Sequence, residues 1–479
     1  MPWSLQEIAQ HNKASSCWVI IKDQVYDLTE FLPSHPGGSQ IILKYAGKDA
    51  TAVYEPIHAR DAIEQNLDAS KFLGPVSKEA QQSLAHSKEA AVKSEDELRV
   101  ERARKALPRL NRMHSLQDIE DAARSVLTKR ALAYYSSASD DLVSHQENMR
   151  AFSRFFFNAR VMRAVSTCDP STTILGYPST IPVFVSGAAL AKLGHPAGEV
   201  NITIGCHKTS IIQMVSSNAS LSPAEIMEAA HPSQTLFFQL YKHKDDARAL
   251  ERIRNVERLG YKALFLTVDA IVAGNREADI KSMWVEEDES YDGDEDEEAS
   301  LEMGGTAGNL VADDDRNMTW EKTIPWLRSV TQLPIVIKGV QSVEDCVLAA
   351  KAGVDGILLS NHGGRQLDYS LPPIELLYRL RKRHPEVFDS TEVYIDGGVR
   401  RGTDVVKALC LGARAVGLGR PFLYAQTAYG SYGVVRAVQV LHREILTVMR
   451  LVGASSVADL TPDLVERVDW QPLVTASKL

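Results

Sequence analysis

The strongest pattern in the chain is a repeat of polarity. From about residue 106 onward, short runs rich in β-branched and aromatic residues alternate with longer stretches of helical spacing. The runs are Val183-Phe-Val-Ser, Ile211-Ile-Gln-Met-Val-Ser, Leu236-Phe-Phe-Gln-Leu-Tyr, Ala263-Leu-Phe-Leu-Thr-Val-Asp, Ile335-Val-Ile-Lys, Gly356-Ile-Leu-Leu-Ser-Asn-His, Val393-Tyr-Ile-Asp and Ala415-Val-Gly-Leu-Gly-Arg. Continuous apolar runs of this length predict strands buried on both faces, as in a parallel sheet. Eight of them, separated by helical stretches, is the number that closes a (β/α)8 TIM barrel, an α/β fold.

The ends of these runs carry the chemistry. They finish in Ser186, Ser216, Gln239 with Tyr241, Thr267 with Asp269, Lys338, His362, Asp396, and Gly419 with Arg420. Some polar closure is expected because loops begin there. A polar or ionisable side chain at nearly every C-terminal end predicts more: a charged site on the face where barrel enzymes react.

Upstream the pattern changes. Residues 1–75 hold short β-like pieces, Cys17-Trp-Val-Ile-Ile and Gln24-Val-Tyr-Asp-Leu, then helical pieces bracketing His35 and His58. This predicts a compact, separate unit. Residues 76–105 are polar, rich in Lys, Glu, Ala and Ser and free of Gly, which predicts a helical or flexible linker. The remainder, 106–479, is long enough for one large barrel. Between its fourth and fifth strands an acidic run from Glu286 to Glu298 predicts a mobile surface loop rather than an EF-hand calcium site.

Composition narrows the function classes. With 44% hydrophobic and 24% charged residues, the chain is neither disordered nor collagen-like, and no apolar run approaches the ~20 residues of a membrane span. A net charge of −9 disfavours nucleic acid as the main partner. Five scattered cysteines, Cys17, Cys168, Cys206, Cys346 and Cys410, form no C-x-x-C pair and read as reduced, buried thiols. The N-terminus shows no leader pattern, and Ser477-Lys478-Leu479 is the tripeptide of a peroxisomal address. Cytoplasm and mitochondrial intermembrane space are the alternative locations.

His35-Pro36-Gly37-Gly38 sets an imidazole on a tight turn, with His58 as a natural second axial ligand. Two neutral imidazoles saturate haem iron and leave a site for electron transfer alone. The stretch from Cys17-Trp-Val-Ile through Val25-Tyr-Asp-Leu-Thr-Glu-Phe-Leu-Pro-Ser-His-Pro-Gly-Gly to Asp49-Ala-Thr-Ala-Val-Tyr-Glu-Pro-Ile-His resembles the cytochrome b5 family. The resemblance implies an N-terminal α+β cytochrome b5-like haem domain in which His35 and His58 ligate haem b.

In the barrel, three glycine-rich signals follow in order: Ser360-Asn-His-Gly-Gly-Arg-Gln-Leu-Asp368, Asp396-Gly397-Gly398-Val-Arg-Arg-Gly-Thr-Asp404 and Gly417-Leu-Gly-Arg-Pro421. The last two follow the seventh and eighth strands, where barrels bind phosphate through backbone N–H groups and a helix N-terminus. Together the signals resemble the FMN-dependent 2-hydroxy acid dehydrogenase and oxidase family over about residues 110–465. Oxidising a 2-hydroxy acid needs a base, a cation for the carboxylate and a two-electron acceptor. His362 supplies the base, Asp269 orients it, and Arg365 grips the carboxylate in bidentate fashion.

The resemblance adds Arg276, Tyr134 and Tyr241 as substrate contacts and Lys338 at the flavin N1/O2 edge. It places Ser216, Gln239 and Thr267 at the flavin ring, the Ala188-Ala189 backbone near N5, and Arg400, Gly419 and Arg420 toward the phosphate end, with Ser360, Asp396, Gly397 and Gly398 as further cofactor-binding residues. Two positions depart from it: Asn218, where a large apolar residue is usual near the substrate side chain, and Ala138, where the family has Gly. Asn218 puts the identity of the 2-hydroxy acid in question.

The activity implied is oxidation of an L-2-hydroxy acid, L-lactate foremost, with electrons passing to FMN, to haem b, and to an external acceptor such as a cytochrome c-like protein. An oxidase delivering electrons to O2 is the alternative, and a non-catalytic haem and flavin binding protein a further one. Family members assemble as homotetramers.

Overall fold

The computed structural model describes residues 2–35, 38–90, 93–282 and 305–469. Pro36, Gly37, the acidic run 286–298 and the C-terminal tripeptide 477–479 lie outside the described residues.

The N-terminal unit is a four-stranded sheet of Asn12–Lys13, Ser16–Ile21, Gln24–Asp27 and Phe72–Pro75, paired antiparallel in that order. Alternation in the second strand gives the sheet two apolar faces. Cys17, Val19 and Ile21 pack with Leu32, Ile42 and Ala46 on the side that carries both histidines, while Ile20 and Val25 pack with Ile8, Val76 and Ala80 on the other.

Two helices follow, Lys78–Ala90 and Glu95–Lys105. The second starts with a reciprocal cap in which Ser94 and Glu97 satisfy each other's backbone N–H, an arrangement that contributes about 1 kcal/mol. It rests on the large domain: Arg99 donates to the carbonyls of Ser125 and Leu127, and Arg104 to that of Gly194.

All eight strands expected in the large domain form, as one closed parallel barrel: Val183–Val185, Ile212–Ser216, Leu236–Leu240, Leu264–Thr267, Ile335–Val340, Gly356–Leu359, Glu392–Asp396 and Ala415–Leu418. Their alternation divides the core. Phe184, Ile212, Met214, Phe237, Phe265, Val336, Leu358, Tyr394 and Ala415 form one cluster with Ile174, and the intervening residues pack in a larger cluster that includes the surrounding helices. The last helix, Arg420–Val452, bends at Tyr429 and Gly430 and packs against Leu116–Val126 and Gly198–Thr209. The five cysteines carry no disulfide; four are buried, and Cys168 is only half-buried.

Candidate active site

The period of the strands sets the site. Two residues beyond an inward-packed apolar side chain, each of seven strands presents a polar one: Phe184 leads to Ser186, Met214 to Ser216, Phe237 to Gln239, Phe265 to Thr267, Val336 to Lys338, Leu358 to Ser360 and Tyr394 to Asp396. All seven polar residues are buried. They form a layer that caps the apolar core at the C-terminal end of the barrel. Within it Ser186 Oγ donates to Asp396 Oδ2 (3.0 Å) and Gln239 Nε2 to Thr267 Oγ1 (3.0 Å).

Above this layer stand His362 and Asp269. Asp269 Oδ1 lies 3.0 Å from His362 Nδ1, and Tyr241 Oη lies 3.4 Å from Nε2. Burial pushes the Asp269 carboxyl up, but the charges of Lys338 and His362 outweigh it and hold the group below its ordinary value. An ionised carboxylate only accepts, so Nδ1 carries the proton and Nε2 presents a lone pair. The His362 pKa is lowered, by burial first and by Lys338 second, with Asp269 opposing. The imidazole is therefore a neutral base at pH 7. Gly339 makes this packing possible: a Cβ there would stand 2.4 Å from Asp269 Cγ. His362 itself has left-handed backbone (φ 58°), a conformation costing about 1–3 kcal/mol and concentrated at functional sites.

Cations gather on one side of His362. The Arg365 guanidinium lies over the Tyr134 ring, 5.0 Å from its centre, and donates to the Tyr135 carbonyl. Arg276 donates from Nε to the Arg365 carbonyl and from Nη2 to Gln366 Oε1, both at 2.9 Å. Burial and the neighbouring Arg365 lower the Arg276 pKa to about 9. A buried guanidinium beside a half-buried one favours an anion between them.

Gln366 was not anticipated as a site residue, although it lies inside the glycine-rich motif. Its amide spans two loops, donating to the carbonyls of Asp269 and Val272 and accepting from Gly274 and Arg276. Asn218, half-buried at the end of the second strand, donates from Nδ2 to the Leu310 carbonyl (3.2 Å). Ala138 is buried and is not among the residues with left-handed backbone, so no glycine is required there.

Several expected flavin contacts line the strand-end layer. Ala188 and Ala189 are half-buried against its rim. Gln239 Oε1, Asp269 Oδ2 and Asp396 Oδ1 are buried acceptors with no protein partner, and a Cβ on Gly419 would meet no atom within 4 Å. Buried acceptors left without a protein partner, together with the open space at Gly419, fit a large polar group such as FMN. The two arginines expected at the phosphate end are engaged otherwise. Arg400 pairs with Glu120 (2.5 Å) and Gln117 (2.7 Å), while Arg420 donates to the carbonyls of Tyr135, Ser137 and Gly363 and meets His145 at 3.1 Å. Arg420 thereby ties the Tyr134–Ser139 segment to the His362 turn, a brace that had no local sequence signal.

In the small unit the His35 and His58 ring centres are 6.2 Å apart. Two metal–imidazole bonds of about 2 Å in opposite directions produce a separation of about 6 Å, so the pair fits one iron between them. Each Nδ1 is 3.1 Å from a backbone carbonyl, of Gly38 and Tyr54 respectively, which leaves both Nε2 atoms for the metal. Burial lowers both pKa values, that of His58 to about 4, keeping the rings in the neutral, ligating form.

Comparison with known proteins finds two family matches along the chain. Residues 123–467 match the family model of FMN-dependent dehydrogenases. The chain belongs to the FMN-dependent dehydrogenase family. Ahead of the FMN-dependent dehydrogenase domain, residues 4–77 match the cytochrome b5-like haem/steroid binding domain. An L-lactate dehydrogenase (cytochrome) of Wickerhamomyces anomalus is 46% identical over 96% of this chain and 79% of that protein. A peroxisomal (S)-2-hydroxyacid oxidase of Arabidopsis thaliana is 36% identical over 74% of this chain and 96% of that protein. Among solved structures, a flavocytochrome b2 double mutant with pyruvate bound superposes with a TM-score of 0.72 at 43% identity, covering 80% of this chain and 95% of that one.

Proposed function

We propose that the chain oxidises an L-2-hydroxy acid, L-lactate foremost, to the 2-oxo acid and delivers the electrons through haem b to an external one-electron acceptor. The observation that carries this reading is the His362–Asp269 pair set beside the buried Arg276 and the half-buried Arg365, in a chain that also holds the His35–His58 pair. When bound, FMN accepts two electrons from the substrate and haem b relays them singly.

The protein supplies the rest. Arg365 and Arg276 bind the substrate carboxylate, with Tyr134 and Tyr241 flanking it. His362 Nε2 accepts the proton released as the hydroxy acid is oxidised, and Asp269 stabilises the imidazolium that forms. Lys338, buried in the strand-end layer, would supply a fixed positive charge to the flavin when it is bound. Ala188, Ala189, Ser216, Gln239 and Thr267 would hold the flavin ring and Gly419 the phosphate end, with Ser360, Asp396, Gly397 and Gly398 as further cofactor contacts, and Arg400 and Arg420 would reach the phosphate only by giving up the protein partners they have here. His35 and His58 ligate the haem iron.

Asn218 donates from Nδ2 to the Leu310 carbonyl, so part of its polarity is met within the protein, which supports a small apolar substrate side chain beside it. The haem unit is assigned to 1–75, the linker to 76–105 and the FMN barrel to 106–479, supported by the family matches at 4–77 and 123–467. The acceptor is a cytochrome c-like protein, and a homotetramer is the assembly. Ser477-Lys478-Leu479 supports a reading of peroxisomal residence, which a fluorescent fusion to the N-terminus, leaving Leu479 free, tests.

The oxidase reading has one observation of its own, that same tripeptide. Assays with L-lactate, using ferricytochrome c and O2 in turn as acceptor, separate the two. A higher kcat with ferricytochrome c supports the dehydrogenase, and stoichiometric peroxide with no cytochrome reduction supports the oxidase.

A further inference from the structure

One short turn touches both redox units. The first barrel strand leads into Gly187–Leu190, where Ala188 and Ala189 border the strand-end layer, and then into the turn Ala191–Leu193. That turn is fastened to the barrel from several directions. Ala191 N–H donates to the buried Glu199 carboxylate (3.1 Å), and Ser220 N–H donates to the same oxygen (2.9 Å). Lys192 N–H donates to Ser220 Oγ (3.1 Å), and the Ala191 carbonyl accepts from Gln426 Nε2 (2.9 Å). The stem of Lys192 lies across Gly198, where a Cβ would stand 2.7 Å from Lys192 Cγ.

From this fixed base Lys192 Nζ reaches the haem unit and donates to the Glu55 carbonyl. Glu55 closes the helix Thr51–Tyr54, and a carbonyl at a helix C-terminus lacks an intrahelical partner and attracts cations. Two further contacts flank His58. Ile57 packs against the barrel's core cluster, and Arg60 Nε pairs with Glu225 Oε1 (3.0 Å), whose other oxygen is fixed by Ser222. The segment Glu55–Arg60 is thus seated on the barrel by one cationic, one apolar and one anionic contact.

We propose that Lys192 is a positioning residue that docks the His58 side of the haem unit onto the flavin-site loop and so sets the flavin-to-haem transfer distance. This rests on the reading that electrons pass from FMN to haem. Oxidation of one hydroxy acid releases two electrons and two protons, and each ferric haem takes one electron. The docked arrangement therefore serves twice per turnover, the second time after the external acceptor has reoxidised the haem.

The test uses full-length holoenzyme with Lys192→Met and Lys192→Arg, checked for full FMN and haem content by absorbance. Anaerobic stopped-flow with L-lactate follows both chromophores, and amide hydrogen exchange follows residues 51–60 without turnover. The proposal expects flavin bleaching of Lys192→Met within about twofold of the parent, haem reduction slowed about three- to tenfold, faster exchange in 51–60, and recovery of both by Lys192→Arg, the scale of one lost solvent-exposed hydrogen bond. Unchanged haem reduction and exchange would overturn it, as would flavin bleaching that slows in parallel, which places Lys192 in the flavin site instead. Should Lys192→Met fail to fold, Glu225→Gln must show the same split in smaller measure, and its absence also overturns the proposal. Parent enzyme whose haem stays oxidised while its flavin bleaches contradicts the functional reading itself, a result distinct from failure of the Lys192 contact.

Discussion

His362 Nδ1 stands 3.0 Å from Asp269 Oδ1, although the two residues come from different barrel strands and 93 positions separate them. The pair fixes one tautomer and aims Nε2 at the site. His362→Gln keeps the size and polarity of the side chain but removes the base. It is expected to retain FMN and to lower kcat with L-lactate by about two to four orders of magnitude. Turnover near the parent rate in FMN-loaded protein would take His362 out of the role.

Because burial and Lys338 lower the His362 pKa, the acid limb of the kcat/KM profile lies below pH 6.5. The base must be neutral to work, so activity rises with pH through that limb and is complete by neutrality. Asp269 opposes the lowering, and Asp269→Asn therefore moves the limb to still lower pH while reducing the plateau. Rates measured from pH 4.5 to 8 check both features, and a limb shifted upward would contradict the assignment.

Arg365 lies over Tyr134 and beside Arg276, a geometry that a planar guanidinium fills and an ammonium does not. Arg365→Lys is expected to lower kcat/KM for L-lactate by about tenfold to a hundredfold, the scale of a lost charge-assisted hydrogen bond. Steady-state kinetics with the FMN-loaded variant measures it.

Asn218 faces a protein carbonyl, so its replacement changes the fold locally more than the chemistry. Asn218→Leu is expected to leave L-lactate kcat/KM within about threefold and to destabilise the protein by about 1 kcal/mol through loss of the bond to Leu310. A substrate panel together with thermal unfolding tests this. A large loss confined to lactate would show that the amide serves the substrate.

The barrel was legible because buried parallel strands leave continuous apolar runs, and because each strand's inward parity carries on into a polar residue, as from Val336 to Lys338. His362 and Arg365 were legible as a dense motif. What joins distant loops was not. Gln366 spans segments some 90 residues apart, Arg400 meets Glu120 on a helix far upstream, and Arg420 braces the Tyr134–Ser139 segment. Such contacts depend on closure of the barrel and leave no periodicity in the chain. Contact between Lys192 and Glu55 belongs to the same class, since either residue alone reads as a surface charge.

Anaerobic stopped-flow mixing with L-lactate, following flavin bleaching and the reduced-haem bands together and then repeated in air, tests the central claim most directly. The account predicts flavin reduction, then haem reduction, and little peroxide in air. Flavin reduction with an idle haem and stoichiometric peroxide would contradict it.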